Sequence, residues 1–228
     1  MDIKNTLIST AFIALGLAIT APSALAATPE GDYEKLPATA TFSSGKSTLS
    51  LADGTTISCE SGTGNGSSLA GSKTTAEAAY TLHGCHEEAT IFKFKCTSAG
   101  QPAGTIQLGT VVTHAVYLDE AHTRPGVLAT SPFVKFTCAG GFSTVEVKGN
   151  GVLGEVTSPK CGATSKTGTG KTETKSHGVQ AVQQVEETGT VYNLEASLGG
   201  GAFQSAGTTW SVTGTANQNV TFTCPEQK

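Results

Sequence analysis

The chain has 228 residues, a formal net charge of −4 and only 14% charged residues. That balance leaves no basic surplus to neutralise phosphates, which argues against a nucleic-acid binder. Almost no stretch has the Leu, Glu, Lys and Ala mix of a long helix, whereas Thr, Val and Phe favour pleated, half-buried backbone and 28 glycines supply turns. The class is all-β, with at most one short helix.

Lys4 gives a short basic start, and Leu7 to Thr20 is an apolar stretch broken by Ser9, Thr10 and Gly16. Ala24-Leu25-Ala26 is a small-x-small cleavage site, so residues 1–26 read as a signal peptide and 27–228 as a single secreted β domain. The signal carries one Asp and one Lys, so its removal leaves the charge at −4. No later apolar run reaches the length of a membrane-spanning helix, and no transmembrane anchor is expected. The expected localisation is extracellular or at the cell envelope, where thiols oxidise. The six cysteines therefore read as three disulfides.

The strands show themselves by period-two alternation. Ile57 and Cys59 share one face, and Phe92, Phe94 and Cys96 share another. The same division recurs in Val134-Lys135-Phe136-Thr137-Cys138, in Val145 and Val147, in Trp210 and Val212, and in Val220-Thr221-Phe222-Thr223-Cys224. Gly62 to Gly66, Gly140-Gly141, Gly149 to Gly151 and Gly199 to Gly201 read as turns between these runs. Gly162 to His177 is a Lys, Thr, Gly and Ser tract and reads as a polar loop or hairpin, spanning about 162–178. Strands of varied length and long polar loops favour an antiparallel two-sheet sandwich over the alternative, a β-barrel.

Six cysteines allow fifteen pairings. The preferred set is Cys85–Cys96, Cys59–Cys138 and Cys161–Cys224, which joins the cysteines at inward strand ends and staples the last strand.

Several groupings carry candidate chemistry. Lys166-Thr167-Gly168-Thr169-Gly170-Lys171-Thr172 approaches a phosphate-binding loop, but Ser165 stands where the first glycine belongs and no buried strand and helix flank it. His83, Cys85, His86, Glu87 and Glu88 form the densest set of metal-capable groups, yet Cys85 would have to be a free thiolate. Asp119, Glu120 and His122 fall in one turn and could serve a polysaccharide hydrolase if another carboxylate converged on them. Tyr80, Tyr117, Tyr192 and Trp210 could stack on sugars, but aromatics are only 6% of the chain and the core also needs them. No catalytic, metal or cofactor-binding residue is assigned.

Gly84-Cys85, Cys96-Thr97-Ser98-Ala99-Gly100, Gly104-Thr105-Ile106, Phe136-Thr137-Cys138 and the run from Val145 to Gly154 resemble the secreted, disulfide-containing β-proteins that occur as multiple paralogues in soil actinobacteria. The resemblance runs from about Thr55 to Gly207. It implies an exported, disulfide-stabilised β-sandwich or barrel and no activity; Cys161 and Cys224 stand outside its pattern, which suits their being partners.

The leading functional expectation is a non-catalytic structural or binding module for a cell-wall polymer, a surface protein or itself, with edge strands open to strand addition. The alternatives are a secreted polysaccharide hydrolase and a small-molecule or metal binder.

Overall fold

A computed structural model describes residues 32–33, 39–69, 75–88, 92–119, 122–130, 134–138, 143–174 and 192–223. In chain order the strands are β1 Asp32–Tyr33, β2 Ala40–Ser44, β3 Ser47–Ser50, β4 Thr56–Cys59, β5 Ser61–Ser68, β6 Thr75–His83, β7 His86–Glu88 and β8 Lys93–Thr97. They continue as β9 Ile106–Tyr117, β10 Pro125–Thr130, β11 Val134–Cys138, β12 Ser143–Gly149, β13 Val152–Ser158, β14 Thr164–Glu173, β15 Leu194–Leu198 and β16 Gln204–Thr223. No helix occurs among the described residues. All-β is correct.

The architecture is the barrel rather than the sandwich. Strands β14, β13, β10, β9, β6, β5, β2 and β16 pair in that order, and β16 pairs back onto β14, closing an eight-stranded antiparallel ring. The expected sandwich fails because two stretches taken for turn and loop are strands. Gly62 to Gly66 lies in β5 and Thr164 to Glu173 is β14, and each bridges two neighbours. Their inward positions are glycines and small polar residues, so they lack the apolar alternation that marks a half-buried strand. Glycines at 149–151 and 199–201 do sit in or beside turns, while Gly140-Gly141 and residues 175–178 lie outside the described residues.

Apart from β1, which pairs with the end of β16, the remaining strands form a second closed circuit. From β16 it runs through β15, β12, β11, β8, β7, β4 and β3, and β3 returns to β16. One 20-residue strand, β16, therefore serves both rings. Residues 204–209 pair with β15 and β3, and residues 212–216 pair with β2. The alternating runs at Trp210 and at Val220 belong to this one strand. Ring closure gives each strand of the two circuits a neighbour on both sides.

The core of the second ring holds Ile57, Cys59, Cys85, Cys96, Phe136, Cys138, Val145 and Val147. Cys138 lies directly opposite Cys96 across β11 and β8. Extending the neighbouring registers by one residue places Cys85 opposite Cys96 and Cys59 opposite Cys85. Four cysteines thus form a row across β4, β7, β8 and β11.

The bonds are Cys59–Cys85 and Cys96–Cys138, not the expected Cys85–Cys96 and Cys59–Cys138. Geometry explains the correction. The Cys96 N–H donates to the Cys85 carbonyl at 2.9 Å, so these two are hydrogen-bonded neighbours, the wider antiparallel spacing. Each sulfur bonds to its other neighbour, where the Cα atoms stand 3.9 and 3.8 Å apart. Cys161 is also disulfide-bonded; Cys224, its expected partner, lies outside the described residues.

Candidate functional site

The lumen of the first ring is the site that the fold builds. On β2 the inward residues are Ala40, Phe42 and Ser44; on β5 they are Gly62, Gly64 and Gly66; on β6 they are Ala76, Ala78, Tyr80 and Leu82. On β14 and β16 the inward set adds Gly168, Gly170, Trp210, Val212, Gly214 and Ala216. An eight-stranded barrel is the size class whose interior is either filled by side chains or holds one small ligand. Here so many inward positions are Gly or Ala that the interior stays unfilled. The result is a cavity of about 470 Å³ with a predominantly apolar lining, within the range of small-molecule sites.

The ends of the cavity differ. At one end Ala115, Tyr117 and Phe222 pack together, with the Tyr117 and Phe222 rings edge to face at 5.5 Å. The Tyr117 hydroxyl donates to the Thr223 carbonyl, which fixes that plug to the end of β16. At the other end the cavity reaches Ile57, Phe136 and Val147 in the core of the second ring. The disulfide row therefore braces the floor on which the lumen rests.

Glycine sets the position of the aromatic rings. Gly64 lies opposite both Phe42 and Tyr80, and Phe42 lies opposite Gly214. A Cβ at Gly64 would stand 2.4 Å from Tyr80 Cδ2, and one at Gly62 would stand 2.4 Å from Tyr80 Cε1. A Cβ at Gly66 would stand 2.9 Å from Phe42 Cε2. The two rings therefore lie against the bare backbone of β5 instead of filling the lumen. Trp210 meets Tyr80 edge to face, centroids 4.7 Å apart.

Polar atoms converge beside these rings. Among the described residues the buried side-chain atoms with no hydrogen-bond partner are Ser44 Oγ, Tyr80 Oη, Trp210 Nε1 and His86 Nε2. The first three cluster: Ser44 Oγ and Tyr80 Oη lie 2.7 and 2.8 Å from the point where a Gly62 side chain would begin. Burial pushes the Tyr80 phenol up from its ordinary pKa, and its imperfect hydrogen-bonding contacts with Ser44 and Trp210 only partly offset this. A buried polar group left unpaired costs about 1–3 kcal/mol. Tyr80 and Trp210 line the cavity and Ser44 stands beside the Tyr80 hydroxyl, so a ligand with a matching polar group could improve on their contacts with one another.

The residues singled out in the sequence fall elsewhere or in other roles. Lys166 to Thr172 lie within β14, and Lys171 pairs with Glu155 at 3.6 Å, so no phosphate-cradling loop exists there. Asp119 holds its own turn: the Thr123 and Arg124 N–H groups donate to it at 2.7 and 3.0 Å, and the Thr123 hydroxyl also donates. Partial burial opposes its charge, but these hydrogen bonds and the Arg124 charge outweigh it, and the carboxyl sits below its ordinary pKa. His122 stacks on Tyr117 at 4.4 Å. Glu120 lies outside the described residues.

The His83 to Glu88 set does not converge on a metal. Cys85 is bonded to Cys59, His83 Nε2 meets the Thr63 hydroxyl at 3.2 Å, and His86 Nδ1 meets the Gly84 carbonyl at 2.9 Å. Glu88 pairs with Lys46 at 3.4 Å. Among the described residues no three His, Cys, Asp or Glu side chains gather to hold a metal ion. The tyrosines and Trp210 form no exposed sugar platform: Tyr80, Tyr117 and Tyr192 are buried, and Trp210 faces the lumen.

Sequence reasoning missed the lumen because its markers look like turn residues. The usable signal was the strict alternation of Gly62, Gly64 and Gly66 with Ser61, Thr63, Asn65 and Ser67. That is strand periodicity written in glycine. Comparison of the chain with family models, curated proteins and solved structures returns no match.

Proposed function

We propose that this protein is an exported, non-catalytic binding protein whose first barrel takes up a small hydrophobic molecule. The apolar lumen of about 470 Å³ carries this reading. An interior lined by glycine and alanine forgoes the packing that a purely structural barrel would gain from larger side chains. Export is supported by the signal-like residues 1–26, by the disulfides at Cys59–Cys85 and Cys96–Cys138, and by the resemblance to secreted β-proteins. The outer face of the barrel favours solvent, with Thr63, Asn65, Thr213 and Thr215 pointing outward.

The test is titration of the oxidised protein with N-phenyl-1-naphthylamine, a neutral dye that fluoresces in apolar surroundings. Saturable binding of one dye per chain, with quenching of Trp210 (the sole tryptophan), is expected. No saturable binding, or binding that leaves Trp210 emission unchanged, overturns the proposal.

A further inference from the structure

The lumen reading leaves open what kind of hydrophobic molecule fits, and the polar atoms inside it narrow the choice. Tyr80 and Trp210 line the cavity, and Ser44 stands beside the Tyr80 hydroxyl. An indole N–H can only donate, while the two hydroxyls can donate or accept. The cluster therefore presents up to three donors and has no cation of its own. Tyr80 is 5% exposed, and its hydroxyl meets Ser44 and Trp210 without a well-formed hydrogen bond to either.

A carboxylate or phosphate drawn to these donors would surrender its hydration with no opposite charge to meet it, which is strongly unfavourable in an apolar interior. A hydrocarbon would leave the three polar atoms with only their poorly aligned contacts to one another. A neutral oxygen acceptor satisfies the donors and brings no charge. Phe42, Tyr80 and Trp210 line the lumen, and aromatic rings suit a flat apolar body.

We infer that the ligand is a neutral, flat, mostly apolar molecule bearing a carbonyl-type oxygen, which accepts hydrogen bonds from Tyr80 Oη and Trp210 Nε1 with Ser44 Oγ alongside. This rests on the lumen as the binding site. It adds the chemical class of the occupant and the end by which it is held.

The experiment uses a matched pair, 9-fluorenone and fluorene, which differ at the carbonyl. Each is titrated against the oxidised protein loaded with N-phenyl-1-naphthylamine. Fluorenone is expected to displace the dye at roughly tenfold lower concentration than fluorene, the scale of one to two hydrogen bonds. In Tyr80→Phe and Ser44→Ala the ratio between the two compounds is expected to shrink toward unity. Should the variants fail to fold, the infrared carbonyl stretch of fluorenone bound to the unaltered protein serves instead, with a shift to lower frequency than in alkane expected.

Equal displacement by both compounds, or an unshifted carbonyl stretch, overturns the carbonyl inference while the lumen reading survives. Failure of the dye itself to bind overturns the lumen reading and this inference with it.

Discussion

Tyr80 lies directly opposite Gly64 across β6 and β5, and its ring occupies the space where a Gly64 side chain would stand. A Cβ there would be 2.4 Å from Tyr80 Cδ2 and 2.6 Å from the Ala79 carbonyl oxygen. The ring could swing into the lumen, but the carbonyl belongs to the ladder and cannot move without disturbing it. Gly64→Ala is therefore expected to lose about 1–3 kcal/mol, the usual scale for overpacking. It is also expected to weaken dye binding, because the displaced ring enters the cavity. Urea denaturation and dye titration of the variant check both effects. Unchanged stability and binding would mean that the Tyr80 ring is not seated on β5.

The four-cysteine row makes a second prediction about the floor beneath the lumen. The bonds Cys59–Cys85 and Cys96–Cys138 span 26 and 42 residues. Loops of that size stabilise by roughly 3–4 kcal/mol each in the chain-entropy description. Replacing either pair with alanine is expected to lower stability on that scale. Since all four residues are buried, reduction of the native protein is expected to be slow until denaturant is added. Non-reducing peptide mapping checks the pairing itself. A peptide joining Cys85 to Cys96 would contradict the row as described.

How much of this was legible beforehand depends on what a residue's face has to do. Val134 to Cys138 emerged as β11 with the expected division, because its inward face meets a packed core and must be apolar. β5 and β14 were invisible as strands, because their inward faces meet an unfilled lumen and carry glycine. Ring closure depends on those two strands, so losing them turned a barrel into a sandwich. The participation of Cys59, Cys85, Cys96 and Cys138 in disulfides was readable from oxidation and parity. Their pairing was not, because it follows from which side of each strand carries the hydrogen bonds. Tyr80 and Trp210 were noticed as aromatics, but their meeting required the register that brings β6 and β16 around the barrel.

The turn at Asp119 gives a prediction in pH. Its carboxylate accepts from the Thr123 and Arg124 N–H groups and from the Thr123 hydroxyl, and its pKa is depressed in the folded chain. A depressed folded pKa adds stability that is present above the unfolded value, near 4, and is lost as pH falls through the folded value. Asp119→Asn removes the charged acceptor and is expected to cost about 1–2 kcal/mol at neutral pH. The gap between the two proteins is expected to narrow as the pH falls below about 4. Thermal melts of both proteins across that window test it. Parallel melting curves at every pH would show that Asp119 does not hold the turn through its charge.

Tyr80 carries the opposite sign. Burial raises its pKa from the ordinary phenol value, and burial also raises that of Tyr192. A raised folded pKa adds stability that is complete below the unfolded value, near 10, and is lost as pH rises through the folded value. The ultraviolet phenolate band is therefore expected to show a late-titrating component in the folded protein that disappears on denaturation. Tyr80→Phe is expected to remove part of that component and leave the part due to Tyr192. Filling the lumen with fluorenone is expected to delay the Tyr80 step further, since an oxygen that accepts from the phenol favours its protonated form. Fluorene offers no acceptor and is expected to cause less delay. If Tyr80 ionises at the ordinary value in the free protein, its hydroxyl faces solvent, and a desolvated lumen of the kind described here does not exist around it.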